Sequence, residues 1–150
     1  MARDKCGGWE HDEHTADVLV RAWGRTLEEA IENSAIGVYE VITDTSRVKP
    51  KTRVDLNTEG IDMENLLYRF VEELLAYTDA DGLVFSIVRV CKVECGEPDA
   101  GCKIAASAWG EKFDDSRHEH RTIVKAMTYA DMEISRVGED CWKIQFVVDI

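Results

Sequence analysis

The segment that decides the fold runs from Asp62 to Gly82 and reads DMENLLYRFVEELLAYTDADG. Its apolar residues recur at intervals of three and four positions, so on an α-helix they form one continuous stripe. The closing Asp79-Ala80-Asp81-Gly82 is typical of a helix C-terminus, because glycine readily adopts the left-handed conformation that ends a helix. The segment therefore predicts a helix that buries one face. The stripe consists of Met63, Leu66, Leu67, Phe70, Val71, Leu74 and Leu75.

Another helix is predicted nearer the start of the chain. Thr26-Leu27-Glu28-Glu29 fits a capping box, in which the Thr hydroxyl and the Glu carboxylate accept hydrogen bonds from backbone N–H groups. Apolar residues follow at helical spacing, and the helix should run to about Thr43. Alternating apolar residues predict strands on both sides of it, at Ala16–Trp23 and Val48–Leu56. Pro50 cannot donate to a strand ladder, so the later strand should lie at a sheet edge.

From Leu83 onward the pattern changes to a period of two, with β-branched and aromatic residues, as expected for strands. Gly96–Gly101 is predicted to connect two long strands as a hairpin loop. The whole pattern predicts an α+β fold: a single domain with a mostly antiparallel β-sheet of about six or seven strands and two α-helices packed on one face. Further strands are predicted at about His120–Tyr129, Met132–Val137 and Cys141–Val148.

Charge and composition limit the range of functions. The 150 residues include 30 Asp or Glu and 18 Lys or Arg, which gives a net charge of −12. An acidic surface repels phosphate backbones, so direct high-affinity binding of nucleic acid is not expected. The sequence contains no apolar run of membrane-spanning length and no apolar signal core, which predicts a cytoplasmic protein without a membrane partner.

The five cysteines are predicted to be free thiols. An odd number of cysteines in a chain of this length argues against the disulfide framework of a small secreted protein. Cys91, Cys95 and Cys102 could be proposed as a zinc cluster, but zinc sites usually have four ligands at tighter spacing. A redox-sensitive pair of thiols is the other alternative there. The acidic segment Trp9–His14 is predicted to be a solvated polar loop, and a transition-metal site at His11 and His14 is the alternative.

Hard oxygen ligands are expected where the last strand ends. Asp149 and Ile150 bring a side-chain carboxylate together with a terminal carboxylate or carbonyl, and Asp17 on another strand is the candidate third ligand. Such a donor set suits Ca²⁺ or Mg²⁺. The alternative is that Asp149 is simply a solvated carboxylate at a sheet edge.

Three further residues are candidates for contact with a partner. Lys125 lies in an apolar run, where its ammonium group either faces a partner or extends into solvent at an edge. His118 shares a strand face with His120, a pattern that fits metal ligands as well as a plain surface. His14 and His118 are also the only visible general bases for a metal-dependent hydrolase, which makes that function the weakest alternative.

Several short motifs occur along the chain in a specific order. In chain order they are His14-Thr15-Ala16-Asp17-Val18, Ala22–Ala30, Val41–Asp44, Leu66-Leu67, Asp81–Phe85, Gly110-Glu111 with Arg117-His118, Val124–Tyr129 and Val147–Ile150. This order resembles the archease family, and the resemblance extends from about His14 to Ile150. In one departure, the family often has a histidine after Thr128-Tyr129, and Ala130 occupies that position here.

The resemblance implies an archease domain over residues 14–150, after a variable acidic N-terminal extension over residues 1–13. It further implies a protein cofactor, not itself an enzyme, that activates the GTP-dependent tRNA-splicing ligase, a 3′-phosphate RNA ligase, by promoting its guanylylation and multiple turnover. The divalent-cation site of the family maps here onto Asp17, Asp149 and Ile150, with Ca²⁺ expected and Mg²⁺ or Mn²⁺ as alternatives. A general chaperone-like adaptor for RNA-processing proteins is the alternative function.

Overall fold

The fold was obtained as a computed structural model that describes residues 6–13, 16–97 and 100–150. Within these ranges two helices, α1 (Leu27–Ile42) and α2 (Met63–Asp81), lie among eight strands, and a short 3₁₀ turn (Thr45–Arg47) follows α1. The strands are β1 (Gly8–Glu13), β2 (Asp17–Gly24), β3 (Thr52–Gly60), β4 (Leu83–Cys95), β5 (Cys102–Lys112), β6 (Ala126–Met127), β7 (Glu133–Gly138) and β8 (Cys141–Asp149).

The strands form two antiparallel sheets. The first has the order β1-β2-β8-β6, and the second has the order β3-β5-β4. β7 also joins the first sheet, because β8 is long enough for Cys141–Gln145 to pair with β7 while Val148 and Asp149 pair with β6. The predicted α+β class, with antiparallel strands and two helices, is confirmed. The strands divide between two sheets, however, whereas the sequence predicted a single sheet.

Local sequence explains how both helices begin and how α2 ends. The Thr26 hydroxyl accepts a hydrogen bond from the Glu29 N–H at 3.1 Å, as the capping box predicts. The Asp62 carboxylate caps α2 in the same way by accepting from the Asn65 N–H at 2.8 Å. Gly82 ends α2 with a φ of 70°, a left-handed conformation that favours glycine.

The core lies where the helices pack against the two sheets. α1 contacts β1, β2 and β8 of the first sheet and β4 of the second, while α2 contacts all three strands of the second sheet as well as β6 and β7. A Cβ atom on Gly24 would lie 2.2 Å from the Ala30 nitrogen, so the end of β2 can approach α1 only because this residue is glycine. Neither described helix is long and apolar enough to cross a membrane. The largest fully buried side chains include Tyr39, Phe70, Phe85, Leu74 and Phe146.

The prediction of a polar loop at Trp9–His14 is wrong for the described part of that segment. β1 pairs with β2 along its whole length, from Gly8 opposite Trp23 to Glu13 opposite Val18. The His11 Nε2 also donates a hydrogen bond to the Gly37 carbonyl of α1 at 2.9 Å. Charged residues on the outer face hide the strand pattern of β1. The predicted domain boundary between residues 13 and 14 falls directly after this strand and stays a prediction.

Two other predicted strands begin later than expected. β3 starts at Thr52 rather than at Val48, because the Lys49 N–H donates to the Glu111 carboxylate at 2.8 Å instead of to a ladder. β3 does lie at the edge of its sheet, as Pro50 predicts. The strand predicted at His120–Tyr129 is reduced to the two residues of β6.

Residues 113–125 form an irregular but hydrogen-bonded segment. The Arg121 N–H donates to the Ile42 carbonyl at 3.2 Å, and the Lys125 N–H donates to the Asp149 carbonyl at 2.8 Å. Since these backbone groups bond to separate elements, no ladder can extend through the segment. The apolar run that predicted a strand therefore belongs to an anchored loop.

The prediction of free thiols is wrong for four of the five cysteines. Cys6 is bonded to Cys141, with Cα atoms 5.7 Å apart, and this bond ties the segment before β1 to the start of β8. Cys95 is bonded to Cys102 across the end of the β4–β5 hairpin. Cys91 is free and exposed. An odd number of cysteines therefore did not exclude disulfides, which depend on which residues the fold brings together.

Loss of the Cys6–Cys141 bond should destabilise the protein more than loss of the Cys95–Cys102 bond. The sequence separations are 135 and 7 residues, and a longer closed loop restricts the unfolded chain more strongly. The chain-entropy estimates are about 5 and about 2 kcal/mol. Urea unfolding of the double variants Cys6→Ser/Cys141→Ser and Cys95→Ser/Cys102→Ser measures the two effects, with reduced wild type as the control. Equal losses in the two variants would contradict this ranking.

Candidate functional site

Asp17 and Asp149 face each other at one end of the first sheet. β2 and β8 are antiparallel, and their register places Asp17 opposite Asp149. The neighbouring Val18 and Val148 are buried in the core, so the alternation of side chains places both carboxylates on the outer face of the sheet. Directly opposed residues have Cβ atoms about 4.5–5.5 Å apart. The predicted meeting of these two strands is therefore present in the structure.

The backbone next to this pair is held from both sides. The Ile150 N–H donates to the Ala16 carbonyl at 3.1 Å, and the Lys125 N–H donates to the Asp149 carbonyl at 2.8 Å. The fold thus brings Asp17, Asp149 and Ile150 together in one place, termed here the acidic corner. The metal assignment of these three residues stays a prediction.

Among the described residues, no cationic side chain neutralises the carboxylates of the acidic corner. No Lys or Arg among residues 6–13, 16–97 and 100–150 forms an ion pair with Asp17 or Asp149. Two like charges directly opposite each other destabilise an antiparallel pair. Hard carboxylate oxygens are also the donors that Ca²⁺ and Mg²⁺ prefer, so the chemistry of the corner fits a divalent cation.

The side chains of the corner would supply only part of a complete coordination shell. The described residues contain no group of three or more His, Cys, Asp or Glu side chains able to hold a metal ion. A cation at the corner would therefore also need backbone oxygens of Ile150 and water, which are common ligands of Ca²⁺.

Lys125 lies beside the corner, at a surface cavity of about 550 Å³. The Lys125 side chain is exposed, as is Ile123 at 73%, but Met127 is buried. The three residues therefore do not share one face, as a continuous strand over His120–Tyr129 would require. His14, another residue predicted to act in activation, lies outside the described residues. Apolar residues supply much of the cavity wall, including Ile42, Val84, Phe113 and Ile150.

His118 is buried in a hydrogen-bonded cluster. The Asp114 N–H donates to its Nδ1 at 2.9 Å, so the ring proton lies on Nε2, which donates to Glu111 at 2.9 Å. Arg117 donates to both oxygens of the same carboxylate, at 3.2 and 2.8 Å, and the Lys49 N–H adds a further bond. Glu111 and His118 are only 5% and 4% exposed. His118 can therefore influence a partner only by holding the 113–125 segment in place.

Hydrogen bonds from Arg117, followed by those from Lys49 and His118, hold the pKa of Glu111 at about 2. Burial opposes this shift but does not outweigh it. The sequence patterns assign Glu111 no role. The available signal was the pair of complementary charges at Glu111 and Arg117, six residues apart.

Tyr68 and Tyr129 form a stacked pair close to the acidic corner. Their ring centroids are 4.4 Å apart with an interplanar angle of 12°, and the Asn65 side-chain nitrogen donates to the Tyr129 hydroxyl at 2.8 Å. Partial burial, the Glu72 charge, Tyr129 and the Asp149 charge raise the pKa of Tyr68. The stack therefore lies within electrostatic reach of the corner. Sequence patterns miss it because the two rings come from distant segments.

Comparisons with known proteins match almost the whole chain. The family model described as the archease protein family (MTH1598/TM1083) matches residues 9–150. The chain belongs to the archease family. A protein archease from Aeropyrum pernix is 71% identical over 147 residues, which are 97% of this chain and 99% of the relative. The protein archease of Pyrococcus furiosus is 45% identical over 142 residues, covering 95% and 98% of the two chains.

Solved structures share the archease fold. The solution structure of protein 1598 from Methanobacterium thermoautotrophicum has a TM-score of 0.75 and 34% identity, and the match covers 95% of this chain and 99% of that one. The crystal structure of a Thermotoga maritima archease, described as a possible chaperone, has a TM-score of 0.57 and covers 93% and 94% of the chains. At 19% identity the latter shows likeness of fold alone. The family resemblance predicted from sequence is confirmed.

The Glu111 cluster should make the stability of this archease pH-dependent in the acid range. The usual pKa of 4.5 falls to about 2 in the fold, so the folded state favours the ionised carboxylate. Its contribution to the free energy of unfolding is therefore complete above about pH 4.5 and is lost as the pH falls toward 2. Glu111→Gln should be less stable than wild type at neutral pH, and the difference should shrink in acid.

Urea unfolding of wild type and Glu111→Gln, at neutral pH and at several pH values below the usual pKa of Glu111, measures the difference in their stability. Asp140→Asn, which neutralises an exposed carboxylate in the β7–β8 turn, is the matched control. A difference between Glu111→Gln and wild type that does not change with pH would contradict the role given to the cluster.

Proposed function

We propose that this chain is a protein cofactor that activates a GTP-dependent tRNA-splicing RNA ligase. In this role it promotes guanylylation of the ligase and multiple turnover, acts in the cytoplasm and does not itself join RNA. The observation that carries the proposal is the pairing of Asp17 with Asp149 at an outer corner of a chain that belongs to the archease family. Because the pair is not needed for packing, a role in contact with a partner accounts for it better than a role in folding.

The acidic corner would hold a divalent cation through Asp17, Asp149 and a backbone oxygen of Ile150. Ca²⁺ is the first choice, and Mg²⁺ or Mn²⁺ are alternatives, since all three prefer hard oxygen ligands. When bound, such an ion supplies positive charge and Lewis acidity at the protein surface.

Three features of the chain itself would act on the ligase: its negative net charge, the fixed orientation of the acidic corner and the ammonium group of Lys125. A net charge of −12 favours encounter with a basic protein face. The hydrogen bonds of Ile150 to Ala16 and of Lys125 to Asp149 hold the corner in a fixed orientation. The exposed Lys125 ammonium can donate to phosphate oxygens of a nucleotide held by the partner. These residues therefore act on the ligase without binding RNA themselves.

A general chaperone-like adaptor for RNA-processing proteins is the second candidate function. A chaperone would need exposed apolar surface to bind unfolded clients, and Ile61 at 80% and Ile123 at 73% exposure are apolar side chains that could contribute to it. The Thermotoga maritima archease is also described as a possible chaperone. The two functions differ in client range, because a chaperone would suppress aggregation of unrelated proteins without preferring the ligase.

Calcium should stabilise the wild-type protein through the acidic corner. A ligand at 100 times its Kd adds about 2.7 kcal/mol to the free energy of unfolding. Asp17→Asn and Asp149→Asn should lose this gain, and in EDTA both should be at least as stable as wild type because the opposed charges are relieved. Thermal unfolding in EDTA and in calcium, magnesium or manganese chloride measures the effect, with Asp140→Asn as control. A calcium shift that persists in both variants would place the cation elsewhere.

Asp17→Ala and Asp149→Ala should each reduce ligase activation by about tenfold or more, as is typical when groups that support a metal site are lost. Lys125→Ala should also reduce activation while melting normally. The assay measures guanylylation and product formed per ligase, with purified ligase, GTP, an RNA bearing a 2′,3′-cyclic phosphate, and this protein at a substoichiometric ratio. Asp140→Asn serves as control, and chelator is added in a parallel series. Unchanged guanylylation and turnover in all three variants would remove the proposal.

A further inference from the structure

The proposed function makes no use of the stacked Tyr68–Tyr129 pair. Stacking covers one face of the Tyr129 ring, yet 51% of this residue is exposed. Asn65 fixes the ring, because its amide nitrogen donates to the Tyr129 hydroxyl at 2.8 Å while its amide oxygen accepts from the Ile61 N–H at 3.0 Å. Because both the nitrogen and the oxygen of the Asn65 amide form hydrogen bonds, the exposed Tyr129 ring is held in one orientation.

Negative charge surrounds the pair. Glu72 lies one turn after Tyr68 on α2, and its carboxylate is fixed by a hydrogen bond from the Met127 N–H at 2.8 Å. After partial burial, the charges of Glu72 and Asp149 contribute to raising the pKa of Tyr68. Within the described ranges, no Lys or Arg forms an ion pair with either carboxylate. The pair is therefore an electron-rich surface beside the carboxylate of Glu72, which forms no ion pair with a described Lys or Arg, and near the acidic corner.

A guanidinium group fits these features better than other common ligands. It is planar, stacks on aromatic faces and donates to carboxylates through several N–H groups at once. An ammonium group is a compact point charge that does not stack in this way. A nucleobase could stack on the tyrosines, but its phosphates would be repelled by Glu72 and by the net charge of −12. Charge therefore favours arginine over nucleic acid.

We propose that the Tyr68–Tyr129 pair binds an arginine side chain of the partner protein and so docks a basic protein face beside the acidic corner. The inference rests on the proposed function for the identity of that partner, the ligase. Tyrosine and arginine are both enriched at the energetic centres of protein interfaces. Ile61, 80% exposed and linked to the pair through Asn65, adds an apolar edge to the surface. An arginine held here fixes the position of the corner against the partner.

The test compares Tyr129→Ala, which removes the exposed ring, with Tyr129→Phe, which keeps it. Affinity for purified ligase without RNA is measured by calorimetry, and activation is titrated in parallel. Tyr129→Ala should weaken binding by about tenfold or more and raise the half-activating concentration by the same factor. Tyr129→Phe, which loses only the hydroxyl that accepts from Asn65, should weaken binding far less. Glu72→Gln, which leaves the ring in place, should also weaken binding. Val137→Ala, an exposed apolar change on β7, is the control.

Arginine amide and lysine amide serve as direct probes of the site. Arginine amide should shift the NMR signals of the Tyr129 ring at lower concentration than lysine amide does, and Tyr68 signals should move with them. Equal response to both probes would overturn the assignment to arginine. Anisotropy with short single-stranded RNA tests the other ligand class, and a loss of RNA affinity in Tyr129→Ala with unchanged ligase binding would overturn docking in favour of base stacking.

The two proposals fail in different ways. If wild type activates the ligase and Tyr129→Ala binds and activates equally well, the arginine site is overturned and the proposed function stands. If wild type binds the ligase through Tyr129 without activating it, the docking surface stands and the activating function is removed. Wild type that does not bind the ligase at all overturns both.

Discussion

The pairing of β2 with β8 is the constraint on which the rest of the structure depends. The register runs from Asp17 opposite Asp149 to Gly24 opposite Trp142. Because side chains alternate along a strand, a slip of one residue would turn Val18 and its neighbours out of the core. Hydrophobic burial thus sets the register, and the register in turn sets the two carboxylates opposite each other. The position of the candidate site follows from packing on the other face of the same strands.

Much of the fold could be predicted because the relevant signals are local. α2 is recognisable from its apolar stripe and from Asp62 and Gly82 at its ends, and the β4–β5 hairpin from its glycine-containing loop. β1 could not be predicted, since its outer face is charged and its pairing partner is not visible in its own residues. The division into two sheets and the disulfide of Cys6 with Cys141 likewise depend on contacts between distant segments.

The candidate site was predictable only in part, for the same reason. Asp17 and Asp149 lie at the ends of two strands with clear alternation, so their meeting could be expected once those strands were assumed to be neighbours. The conformation around Lys125 could not, because it depends on backbone bonds to distant elements, from the Lys125 N–H to the Asp149 carbonyl and from the Arg121 N–H to the Ile42 carbonyl. The Tyr129 stack similarly requires α2 to pass next to β6.

Two sets of acidic residues in this protein differ in their surroundings. Glu111, Asp55 and Glu133 each have hydrogen-bond or charge partners that lower their pKa values, and they stabilise the fold through those partners. Asp17 and Asp149 face each other instead, with no ion pair to a described cation. An amide at either position would relieve the repulsion with little change in shape. Folding alone therefore does not account for two carboxylates at this corner, which is the reason to propose a cation or a basic partner there.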